Sequence, residues 1–161
     1  MLKSLEIELN EIYKDYENVF EPDMRGMCQL KYLGNLKEIE KHKELEGKRN
    51  AYILFLNKTI DYPRGSSKIF SIGYSNNLYK TLIKKKRKME EANLEKKLNI
   101  YYSLSLYGAK VFIIENEDEL PMNVEYHYVR AFNFFYGMTP RGNYYDSNFK
   151  QSRLELKLAK I

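Results

Sequence analysis

Residues 69–82 read IFSIGYSNNLYKTL, and this stretch decides the fold. Ile69 and Ser71 alternate with Phe70 and Ile72, which is the period of a strand. Gly73 breaks that period, and Ser75-Asn76-Asn77 supplies side chains suited to capping a helix. Leu78 and Leu82 then stand one helical turn apart, within a basic run of Lys80, Lys84, Lys85, Lys86, Arg87 and Lys88. The expected order is strand, glycine corner, then a capped helix with a positive flank. Such a helix start presents backbone N–H groups and the positive end of a dipole, which suits phosphate. It equally suits an ordinary β-to-α corner, and a lysine run equally suits a solvated face.

Working outward, residues 50–56 (NAYILFL) form a short apolar run rich in strand formers. It is expected to pair with 68–73 across a turn-rich connection, 57–67, that holds Asp61, Pro63 and Gly65. Residues 108–115 (GAKVFIIE) read as a third strand. An acidic loop over 115–119 follows, including Asp118, and then a helix over about 122–132. Glu125 shares a face of that helix with Val129 and Phe132, near its N-terminal end. A carboxylate there is either a charge favoured by the helix dipole or a ligand aimed into the sheet.

That ordered set resembles the GIY-YIG nuclease superfamily over roughly 50–143. Asn50-Ala51-Tyr52 stands where the first signature belongs, and Ser71-Ile72-Gly73 where the second does. Ser75-Asn76-Asn77-Leu78 matches the small polar start of the family's first helix. Phe112-Ile113-Ile114-Glu115, then Glu125, then Thr139-Pro140-Arg141-Gly142-Asn143 resembles the closing half. Three positions depart. Asn50 replaces the first glycine, Ser71 the second-signature tyrosine, and Thr81 the helix arginine.

The resemblance implies an α+β fold, a small three-stranded, mostly antiparallel sheet flanked by helices. Residues 1–49 would be an N-terminal helical extension, 50–143 the GIY-YIG-like domain and 144–161 a C-terminal helical extension, all in one compact unit. It further implies a divalent ion, Mg²⁺ or Mn²⁺, held by Glu125, with Tyr52 orienting or deprotonating the water. Thr81 cannot supply the positive charge that a phosphate needs, so Lys84 or Lys80 would have to, without arginine's bidentate fork. Tyr74 is the candidate stand-in for the lost tyrosine. Ser75, Asn77, Lys80, Lys84, Lys85, Arg87 and Lys88 are the candidate nucleic-acid contacts.

The rest of the chain sets bounds. Its 161 residues suit one domain with a real core, and the formal net charge of +5 favours polyanions without fixing affinity. Cys28 is the only cysteine, which excludes an internal disulfide or a thiolate metal cluster and suggests a reducing, cytoplasmic setting. No secretory signal is expected over 1–18, where charged residues recur, and no apolar run approaches a membrane span.

Residues 2–20 read as an amphipathic helix and 23–34 as irregular, punctuated by Gly26 and Gly34. Tyr32-Leu33-Gly34 copies the second signature, but no suitable strand precedes it, so it is set aside. Residues 35–46 read as a charged helix capped by Asn35 and stopped by Gly47, with His42 on its surface. The basic helix is expected to run to about 98, with a break near Asn93; 101–107 is either a helical turn or extended; 144–161 reads as a terminal helix.

Three functions fit. The first is a GIY-YIG-like protein that binds DNA or RNA with cleavage weak or absent. The second is an active, divergent metal-dependent endonuclease, defending or spreading a mobile element. The third is a viral or mobile-element interaction protein, an inhibitor of a host factor, using the N-terminal helix or the C-terminal segment as its partner surface. None of the three calls for a membrane.

Overall fold

A computed structural model describes residues 29–95, 100–115 and 120–144. The expected helices over 2–20 and 144–161, Cys28 and Asp118 therefore lie outside the described residues, Tyr144 apart. The fold is α+β, with four antiparallel strands where three were expected. These are β1 (Gln29–Asn35), β2 (Asn50–Tyr62), β3 (Gly65–Ser75) and β4 (Ala109–Glu115), in the spatial order β1-β4-β2-β3. The helices are α1 (Leu78–Leu94), α2 (Ile100–Tyr107), α3 (Pro121–Tyr136) and a single turn, α4 (Arg141–Tyr144).

The additional strand, β1, falls where the sequence read as irregular, and it pairs with β4. Gly34 is not a stop. It sits at a register shift between Tyr32 and Gly34, at φ 114°, a backbone only glycine adopts without strain. The helix expected over 35–46 is instead two 3₁₀ segments, Leu36–Lys41 and Lys43–Leu45, and Asn35 makes no side-chain cap. Buried Leu36, Ile39 and Leu45 are separated by multiples of three, the period that brings side chains onto one edge of a 3₁₀ turn.

β2 lies inside the sheet, so both its faces are covered and all of residues 51–56 are buried. Ala51, Ile53 and Phe55 point toward α3, where they join Phe112, Ile114, Val124, Tyr128 and Phe132. Tyr52, Leu54 and Leu56 point the other way, toward Leu78, Leu82 and Met89 of α1 and Leu104 of α2. The 3₁₀ residues Leu36, Ile39 and Leu45 close that second layer.

The connection expected between β2 and β3 is mostly strand. Only Pro63 and Arg64 turn, and Tyr62 faces Gly65 across the hairpin. Tyr62 holds this extension down. Its hydroxyl donates to the Ile69 carbonyl (2.8 Å) and accepts from the Arg141 N–H (3.2 Å). Its ring meets Phe132 edge-on, 5.0 Å between centroids. Burial pushes this phenol's pKa up to about 12.

β3 is an edge strand, and an edge leaves backbone groups needing partners. Asn143 supplies two. Its Oδ1 accepts from the Ile72 N–H (2.8 Å) and its Nδ2 donates to the Ile72 carbonyl (2.7 Å). Gly142 makes that approach possible, since a Cβ there would stand 2.6 Å from both the Phe70 ring and the Phe70 carbonyl oxygen. Replacing Asn143 by alanine leaves a buried N–H and C=O unmet, and should cost about 2–3 kcal/mol in urea unfolding. A loss under about 0.5 kcal/mol would show that water replaces the amide without penalty.

Candidate functional site

The site begins with Gly73. Tyr52 faces it across the β2–β3 ladder, and the tyrosine ring fills the space that a side chain at 73 would take. A Cβ on Gly73 would lie 2.6 Å from the Tyr52 hydroxyl and 2.7 Å from Cζ. One residue on, the Tyr74 N–H points out of the β3 edge and donates to the Glu125 carboxylate, which α3 brings to that edge. Lys85 reaches the same place from α1. Its Nζ stands 5.9 Å from the Tyr52 ring centroid, and its charge acts on Glu125.

Tyr52, Lys85 and Glu125 therefore converge where β3 passes between α1 and α3. They are only 4%, 7% and 8% exposed. Burial pushes the Glu125 carboxyl up to about 7, while the Tyr74 N–H and the Lys85 ammonium pull it down without cancelling that effect.

Of the expected site residues, Tyr52 and Glu125 come together and the rest do not join them as expected. Tyr74 meets Glu125 through its backbone N–H. Its register partner is Ala51, on the α3 side of the sheet, so its ring leaves on the face opposite Tyr52 and is 39% exposed. Lys84 is exposed and turned away. The cation that does approach is Lys85, expected as a nucleic-acid contact; at 7% exposed it is instead turned into the fold beside Tyr52. The signal was present: Leu78, Leu82, Lys85, Met89 and Ala92 are the buried positions of α1, so Lys85 lies on the apolar stripe.

The helix start is not an open phosphate cradle. The Leu78 N–H donates to the Lys48 carbonyl (2.9 Å), the Lys80 N–H to Asn77 Oδ1 (3.2 Å) and the Thr81 N–H to the Asn77 carbonyl (3.1 Å). Ser75 Oγ accepts from the Asn77 N–H (3.0 Å) and shares a 2.6 Å hydrogen bond with Thr81 Oγ1. Ser75, Asn77 and Thr81 thus brace the corner. Ser71, in the place of the family's second tyrosine, is buried with no hydrogen-bond partner for its Oγ.

The remaining cations divide by exposure. Lys86 pairs with Glu40 (2.7 Å) and Glu90 (3.6 Å), and Lys88 lies over the Tyr101 ring at 5.1 Å. Lys80, Lys84 and Arg87 face solvent along one side of α1.

The residues present do not fit a hydrated divalent ion. Mg²⁺ held by one carboxylate keeps several waters, which needs an open site. Glu125 is instead sealed, engaged by a backbone N–H and faced by an ammonium. Among the described residues, no three of His, Cys, Asp and Glu gather as ligands. His42 bonds Glu44 at 2.9 Å, and His127 packs beside Tyr126. None of the described helices is long and apolar enough to cross a membrane. Comparison of the chain with family models, curated proteins and solved structures finds no match.

The raised Glu125 carboxyl makes a pH prediction. A carboxyl raised from 4.5 to about 7 favours folding while protonated. That contribution is full below pH 4.5 and is lost as pH rises through about 7. Relative to Glu125→Gln, the wild type should lose on the order of 2–3 kcal/mol across that window in urea titrations. Parallel pH profiles for the two proteins would contradict the burial of this charge.

Proposed function

We propose that this chain is a nucleic-acid-binding protein on a GIY-YIG-like scaffold, with phosphodiester cleavage weak or absent. One observation carries the reading: the phenol, ammonium and carboxylate at Tyr52, Lys85 and Glu125 meet at Gly73, yet all three are closed to solvent. The order of β2, β3, α1, α2, β4 and α3 supports the kinship, as does the Asn143 clamp on Ile72. Loss of chemistry is supported by Thr81 and Ser71 in the places of an arginine and a tyrosine. Hydrolysis needs an activated water and neutralised phosphate charge together. Neither is accessible in a sealed cluster.

Binding would fall to the exposed row of Lys80, Lys84 and Arg87, which addresses a phosphate backbone by charge and reads no bases. The alternative, an active divergent endonuclease, draws on the proximity of Lys85 to Glu125, a positive charge one turn beyond the expected place. In that case Lys85 would contact the phosphate once the cluster opened.

Binding and cutting should separate cleanly. DNA and RNA affinities should fall steeply with salt, and changing Lys80, Lys84 and Arg87 together to glutamine should weaken binding about tenfold or more at moderate salt, with a shallower salt slope. Glu125→Ala should leave affinity within about twofold, and neither Mg²⁺ nor Mn²⁺ should induce cutting. Cutting that disappears in Glu125→Ala would establish the endonuclease instead. Absence of binding to any nucleic acid would remove both readings.

A further inference from the structure

Away from the Gly73 cluster, two clefts of about 410 Å³ and 330 Å³ lie side by side and share one wall, Tyr107 at the end of α2. The first runs between the 3₁₀ segment at Lys37, Asn57 of β2 and Ser105. The second runs between Lys58 and Thr59 of β2, Ser103 of α2 and Arg141, over a floor of Leu56 and Phe70.

β2 opens the second cleft by bowing. Its pairing with β3 passes from Phe55↔Ile69 directly to Ile60↔Ser67, so residues 56–59 stand opposite Lys68 alone. Lys58 turns onto Tyr107, donating to its hydroxyl at 3.0 Å with Nζ 4.5 Å from the ring centroid. The ring remains 40% exposed.

Charge and shape limit what fits. Lys37, Lys58 and Arg141 contribute three positive charges. The two carboxylates are Asp61 and Glu38, and Glu38 is already paired with Lys41 at 2.9 Å. Hydroxyls of Thr59, Ser103 and Tyr107 lie between them. Cations spaced along a cleft, an exposed aromatic ring and hydroxyl donors are the elements that hold an unpaired polynucleotide strand. Each cleft has the volume of a small-ligand site, enough for one nucleotide unit.

We propose that the paired clefts form a binding track for single-stranded nucleic acid, with a base stacked against Tyr107 and the flanking phosphates held by Lys58 and Arg141. This rests on the nucleic-acid reading above and adds the strand state and a second contact region to it. The track lies on β2 several residues beyond Tyr52, on the side of the sheet covered by α1 and α2.

The test uses the full chain with a short fluorescent oligothymidylate and a labelled duplex of equal length. Tyr107→Ala should weaken oligothymidylate binding about tenfold, a loss within the usual range for one stacked base. Tyr107→Phe should stay within about twofold, and duplex affinity should be unchanged in both. Ultraviolet crosslinking of a bromodeoxyuridine strand to the wild type should label the peptide containing Tyr107, a readout independent of how well the alanine variant folds. Crosslinking elsewhere, or unchanged oligothymidylate affinity in folded Tyr107→Ala, overturns the track. If the row of Lys80, Lys84 and Arg87 still governs binding, the nucleic-acid reading survives that failure. A wild type that binds neither probe defeats both.

Discussion

The outer edge of β3 is the constraint on which the rest depends. An edge strand exposes a line of N–H and C=O groups that must find partners or invite another chain. Here alternate residues along one edge are met by side chains from opposite ends of the closing segment. Ile72 is held through both backbone groups by Asn143, and Tyr74 through its N–H by Glu125. The carboxylate that draws attention as a candidate ligand is thus also part of how the sheet is finished. Gly73 lies between these two residues, and its missing side chain lets Tyr52 reach the same edge from the other face.

That arrangement decides the electrostatics. A carboxylate and an ammonium are drawn into a space lined by a tyrosine ring and the apolar stripe of α1. Removing charges from water is costly, and their mutual attraction recovers only part of it. The upward shift of Glu125 records this balance, since burial outweighs both the N–H donor and the nearby positive charge. A cluster built this way suits holding a structure together. Water activation favours an accessible site, and the outward-facing cations of α1 are the groups that meet solvent.

Much of this was legible from residue order. The alternation before Gly73, the capping side chains over 75–77, of which Asn77 is the cap, and the apolar run at 50–56 all lie where the structure has them, and Glu125 does lie near the start of its helix. The misses have physical causes. β1 was hidden because Gly34 reads as punctuation, while in a paired strand it serves a bulge. The 3₁₀ segments were hidden because a spacing of three fits both helical periods, and only packing chooses between them. The hairpin extension was hidden because Asp61 and Gly65 look like turn residues, while Tyr62 between them anchors strand to strand. Lys85 was hidden by its neighbours: in a run of cations nothing local marks the one that faces inward, except its register with Leu78, Leu82 and Met89.

The strand order carries a consequence for how the chain is born. β4 lies between β1 and β2, so the first of the described strands to be made has no place in the sheet until the last of them arrives: residue 29 pairs with residue 115. The β2–β3 hairpin can close early, since its contacts are local, while β1 must wait through the synthesis of both α1 and α2 for a distant partner whose loop is costly to close. Leu30 and Leu33 wait through that interval for their partner strand. A nascent chain halted before β4 would present an unmatched hydrophobic strand, the kind of surface that chaperones bind and aggregates grow from.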